Sequence, residues 1–116
     1  MKSQNKILIV DDSELNRSLL ADMLRDEYEV LEAGNGLQAI RLLEFHQFEI
    51  SLILLDIIMP EMDGFEVLAM MNKNGWIERI PVIIISAETT ASYIDAAYDL
   101  GATEYVTSVA PKSASI

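Results

Sequence analysis

Three aspartates stand where apolar runs stop. Asp11 and Asp12 follow "KILIV", and Asp56 follows "LILL" with Met59-Pro60 close behind. Runs that apolar are normally buried on both faces, so a carboxylate at their end must find water or a cation. Ser86 closes "PVIIIS", and Thr107 and Ser108 follow "EYV". Each has a local reading: Asp12 or Ser13 as the cap of a following helix, Asp56 as a turn residue, Ser86 as a residue preceding a helix. Brought together, three carboxylates would repel and raise one another's pKa unless a cation joined them. One or two carboxylates, a backbone carbonyl and waters suit Mg2+, whereas zinc calls for His or Cys. The chain has no cysteine, and its one histidine, His46, reads as a surface residue at the end of a helical segment.

Whether these residues meet depends on the elements that carry them. Lys6–Val10 reads as a buried strand, and Leu15, Leu19, Leu20, Met23 and Leu24 then recur at helical spacing. Residues 28–33 alternate like a second strand; after Gly34-Asn35-Gly36, Leu37, Ile40, Leu42 and Leu43 supply a second helical stripe. A third strand ends at Asp56, a third helix carries Phe65, Val67, Leu68 and Met71, and residues 81–86 form a fourth strand. "ASYIDAAYDL" is a fourth helix stopped by Gly101, and Glu104–Thr107 is a short fifth strand. The alternation predicts an α/β fold, a doubly wound five-stranded parallel sheet with helices on both faces. Such sheets collect function at the carboxyl ends of their strands, where the strand order reverses, and the polar residues above fall there. Residues 1–107 read as one domain. "SVAPKSASI", residues 108–116, shows neither period and reads as an atypical tail, the last helix being missing or truncated.

Composition narrows the function classes. The 116 residues fit one domain, and 51% apolar content supplies one sizeable core. A formal charge of -11 disfavours direct contact with nucleic acid or an anionic membrane, both of which need clustered Lys and Arg. No disulfide framework or thiolate site can form without cysteine. The start lacks the apolar core of a signal peptide, and no run approaches the roughly 20 residues of a spanning helix, so a cytoplasmic protein is the default expectation.

Four pieces occur in order: "DD" after the first strand, "LLDIIMPEMDG" around the third, "IIISA" at the fourth and "GATEYV" before the fifth. Together they resemble the receiver domain of two-component response regulators over nearly the whole chain. The resemblance implies a flavodoxin-like strand order 2-1-3-4-5. It implies that Asp56 accepts a phosphoryl group from a sensor histidine kinase or phosphotransfer protein, with Ser86 donating its hydroxyl to a phosphoryl oxygen. Asp11, Asp12, Asp56 and the backbone carbonyl of Ile58 would hold Mg2+, and Tyr105 would turn inward to signal to a downstream output domain or protein. Such a chain is a switch acting on itself, not an enzyme with a separate substrate.

The likeness breaks after the fifth strand. The family places a lysine and a proline where this chain has Ser108 and Val109; Pro111 and Lys112 come three residues late, and Lys112 would serve only if the loop folded back. A degenerate pseudo-receiver that binds a partner without phosphorylation is therefore the alternative. A Mg2+-dependent phosphohydrolase would want a second aspartate two residues after the nucleophile, where Ile58 stands, and a flavin-binding fold would want a phosphate loop in place of "DDSE". Without a fifth helix, the flank of the sheet beside the first helix would be bare, to be covered by residues 108–116 through Val109 and Ile116 or by self-association.

Overall fold

The computed structural model describes residues 5–107. Five strands, β1 (Lys6–Val10), β2 (Glu29–Ala33), β3 (Ile50–Leu55), β4 (Val82–Ser86) and β5 (Glu104–Thr107), pair in parallel in the order 2-1-3-4-5. Four helices connect them: α1 (Glu14–Leu24), α2 (Gly36–His46), α3 (Gly64–Lys73) and α4 (Ala91–Asp99). A short 3₁₀ turn, Trp76–Glu78, follows α3 and has no counterpart in the periodicity of the sequence. Among the described residues no helix follows β5, and none is long and apolar enough to cross a membrane.

The central strands are apolar because both of their faces are covered. On one face, Leu8, Val10, Ile53, Leu55, Val82 and Ile84 pack with Ile40, Leu43, Val67, Leu68, Met71 and Ala97 of α2, α3 and α4. On the other, Ile7, Ile9 and Leu54 meet Ala21, Leu20 and Leu24 of α1. At about 25 cal/mol per Å² of apolar area, these two layers supply the main favourable contribution to folding.

The expected α1 stripe is only partly a core stripe. Leu20, Ala21 and Leu24 face the sheet, while Leu15, Leu19 and Met23 are 69%, 56% and 77% exposed. Leu37 of α2 is likewise exposed. Helical periodicity finds an apolar side but not the width of its contact, and α1 meets the sheet along a band narrower than its apolar face. Leu52, Ile83 and Ile85 on the same flank are half-buried, and Val106 is exposed. The expected covering by Val109 and Ile116, like Ser108 and Lys112, lies outside the described residues.

Candidate functional site

Strand register brings the acids together. Val10 pairs with Leu55, so Asp11 and Asp56, each one residue further on, leave neighbouring strands side by side. Parallel neighbours lie about 4.8 Å apart. The Asp56 N–H donates to the Val10 carbonyl at 2.9 Å, and the Asp11 N–H donates to the Ala33 carbonyl at 3.1 Å, which extends both ladders to the site. One carboxylate oxygen from each of Asp11, Asp12 and Asp56 falls within 4.8 Å of the others. Asp11 and Asp56 are buried and Asp12 is exposed, so the cluster is sealed below and open to solvent above.

The competing local roles resolve residue by residue. Ser13, not Asp12, caps α1: its Oγ accepts the Asn16 N–H at 3.3 Å, while the Ser13 N–H donates to Asp11 Oδ1 at 2.8 Å. Asp56 does act as a turn residue, its Oδ1 accepting the Ile58 N–H at 3.3 Å. That bond opposes a larger effect. Burial first, then the Asp11 charge, push the Asp56 pKa up to about 7, against the lowering by the Ile58 and Ile57 N–H groups. A divalent cation would reverse this shift by favouring the ionised carboxylate, so the all-oxygen donor set fits Mg2+ in both chemistry and charge. His46 is remote from this set; its Nδ1 lies 3.0 Å from Glu49 Oε1.

The loop after Asp56 is built for close approach. Gly64 opens α3 with its N–H on the Ile57 carbonyl at 2.9 Å; a Cβ there would come within 2.7 Å of the Ile57 Cα and nearer still to the Asp56 carbonyl oxygen. Asp63 and Glu66 form a reciprocal capping box at the start of α3. Glu61 takes a left-handed φ of 64°, uncommon for a residue with a side chain. Between them these features fix residues 59–64 after Asp56, with the Ile58 side chain half-exposed.

Ser86, at the end of β4, is buried, and its Oγ accepts the Glu88 N–H at 3.1 Å. Tyr105 of β5 donates its hydroxyl to the Glu88 carbonyl at 2.8 Å. Burial chiefly raises the Tyr105 phenol pKa, so the group stays a hydrogen-bond donor, although the Ser86 hydroxyl works in the opposite direction. The Glu88 carboxylate turns away to accept both the N–H and the hydroxyl of Thr90. Those bonds hold its pKa below the usual range. Thr107 is an exposed strand end.

Two contributors escape a reading of the sequence. Arg17 reaches back from α1 to the Asp11 carbonyl at 2.7 Å, a tertiary contact with no periodic signature. Gly64 is visible only as part of the "EMDG" turn, and its close approach to the strand end is a property of packing.

The sequence profile of the response regulator receiver domain matches residues 7–112. The chain is 39% identical over 104 residues to a "Probable cyclic di-GMP phosphodiesterase" of Vibrio cholerae, covering 90% of this chain and 23% of that protein. It is 32% identical over 101 residues to "Two-component response regulator ORR5" of Oryza sativa, covering 86% of this chain and 75% of the relative. Thus it spans under a quarter of the first relative and three quarters of the second. Among solved structures, the Vibrio cholerae chemotaxis protein CheY4 superposes with a TM-score of 0.84 at 27% identity, covering 93% of this chain and 89% of that one. A chain of the CheX-CheY-BeF3-Mg2+ complex of Borrelia burgdorferi gives 0.82 at 28%, covering 91% of this chain and 79% of that one.

Proposed function

We propose, for a chain that belongs to the response regulator receiver domain family, that Asp56 is the phosphoacceptor of a two-component signalling switch. The observation that carries this is the convergence of Asp11, Asp12 and Asp56 within 4.8 Å at the ends of adjacent strands, with Asp56 buried. An ionised Asp56 oxygen attacks the phosphorus of a phosphohistidine on a sensor kinase or phosphotransfer protein. The new P–O bond forms as the P–N bond breaks, the histidine nitrogen leaving with its bonding electrons and the product being an aspartyl phosphate. Asp11, Asp12, Asp56 and the Ile58 carbonyl would hold Mg2+, which when bound neutralises charge on the transferring group. Ser86 Oγ accepts from Glu88 and keeps its own hydrogen to donate to a phosphoryl oxygen. In turning to do so it would release the Glu88 N–H, and Tyr105, bonded to the same residue, would register the change on the α4–β5 surface that meets an output domain or protein.

A second reading, a partner-binding module that works without phosphorylation, is favoured by Ser108 and Val109 standing where the family has a lysine and a proline. Incubation with acetyl phosphate and Mg2+ separates the two. The switch predicts one hydroxylamine-labile phosphoryl adduct, lost on chelation of Mg2+ and absent from Asp56→Asn. No adduct under conditions that modify a known receiver would leave the second reading.

A further inference from the structure

We infer that Arg17 is a positioning residue for the acidic cluster, clamping the β1–α1 turn to β2 so that Asp11 and Asp12 face Asp56 at the spacing a divalent cation needs; this rests on the cation-binding reading above.

The Arg17 side chain is mostly buried and spans two anchors. Its Nη1 donates to the Asp11 carbonyl at 2.7 Å, and its Nε donates to Glu32 Oε1 at 3.3 Å. Glu32 lies on β2, paired in register with Ile9, and its other oxygen accepts Arg25 Nη2 at 2.7 Å, so the anchor is itself fixed. Gly34 leaves the passage open: a Cβ there would stand 3.2 Å from Arg17 Nη1. A planar guanidinium with donors in fixed directions sets the distance between its two acceptors, which a flexible ammonium does not. Asp11 is thereby held at its N–H by Ala33, at its carbonyl by Arg17 and at its carboxylate by the Ser13 N–H. Two of those three ties run to β2 or to a side chain anchored there.

Charge and geometry predict opposite signs. As a cation near three carboxylates, Arg17 repels a divalent ion, and its removal would tighten binding if charge alone mattered. As a clamp, it orders the ligands, and its removal weakens binding; loss of outer partners of metal ligands typically costs about 10- to 100-fold in affinity.

Mn2+ binding to the full chain, followed by the electron paramagnetic resonance of the unbound ion with Mg2+ as competitor, reads that sign directly. Circular dichroism and urea unfolding run in parallel on each variant. We expect Arg17→Ala to weaken binding by roughly tenfold or more, Arg17→Lys to fall between it and wild type, and Arg25→Ala, which frees one side of the Glu32 anchor but leaves the Asp11 contact in place, to weaken binding less than Arg17→Ala does. Should Arg17→Ala not fold, the comparison of Arg17→Lys with wild type decides alone. Equal or tighter binding by a folded Arg17 variant, while Asp12→Ala loses the ion, overturns the positioning role and leaves the cation site standing. A wild-type chain that binds neither ion overturns both.

Discussion

Tyr105 donates its hydroxyl to the backbone carbonyl of Glu88 at 2.8 Å, and Ser86 Oγ takes the N–H of that same residue. One residue of the β4–α4 loop is thus gripped from two adjacent strands, and the loop's position depends on where the Ser86 hydroxyl points. Tyr105→Phe keeps the ring and removes one bond, leaving the Glu88 carbonyl without that donor. A loss of about 0.5 to 1.5 kcal/mol in urea unfolding is expected, with faster hydrogen exchange confined to the β4–α4 loop amides. Unchanged exchange there would mean the loop is held by other contacts.

Asp56 makes stability depend on pH in a direction opposite to that of a salt-bridged acid. Its pKa rises from the ordinary 3.8 to about 7 on folding. Between those values the unfolded chain has lost the proton and the folded chain keeps it, so the contribution is full below about pH 4 and is lost as pH rises toward 7. The ceiling is about 4 kcal/mol at 1.36 kcal/mol per pKa unit. Asp56→Asn should therefore be more stable than wild type at about pH 8 without divalent ions, the gap closing at about pH 4 and narrowing when Mg2+ is added. Urea unfolding at the two pH values measures this. A gap of equal size at both would show that the buried charge is not its cause.

Hydrolysis of an aspartyl phosphate needs a positioned water, and this site offers little to hold one. Ile58 presents an apolar side chain, and the Glu88 carboxylate is committed to Thr90. We expect a long-lived adduct, and Ile58→Asn to shorten its half-life several-fold by supplying a hydrogen-bonding group. Phosphate release from purified adduct tests this; equal decay in the two proteins removes Ile58 from the account.

Gly64→Ala places a methyl group against the backbone of Asp56 and Ile57, where no flexible side chain can move aside. Overpacking of this kind typically costs about 1 to 3 kcal/mol. The strand end must shift, so Mg2+ affinity should fall along with the unfolding midpoint. A variant that loses stability but binds Mg2+ as before would show that the β3–α3 loop does not set the geometry of Asp56.

The sheet was legible because its central strands are buried on both faces and its helices on one. That contrast writes itself into runs such as residues 53–55 and stripes such as Val67, Leu68 and Met71. The acidic cluster was legible for the same reason: Asp11 and Asp56 each end an apolar run, Asp12 follows Asp11, and parallel register carries Asp11 and Asp56 to the same place. What local pattern could not give is which of Asp12 and Ser13 caps α1, since both side chains suit the position. Nor could it give which part of the apolar face of α1 meets the sheet: Leu15, Leu19 and Met23 look like core but are exposed, while Leu20, Ala21 and Leu24 make the contact. Arg17 was invisible because a long polar side chain carries no sign of which backbone carbonyl it will reach.

The phosphoacceptor we propose is the aspartate at the end of β3. Treating the chain with acetyl phosphate and Mg2+, reducing the acyl phosphate with borohydride and sequencing the peptides by mass spectrometry locates the modified residue. We expect Asp56 alone to be converted, in a reaction requiring Mg2+ and impaired by Asp12→Ala. Conversion of another acid, or none in a chain that binds Mg2+, would contradict it.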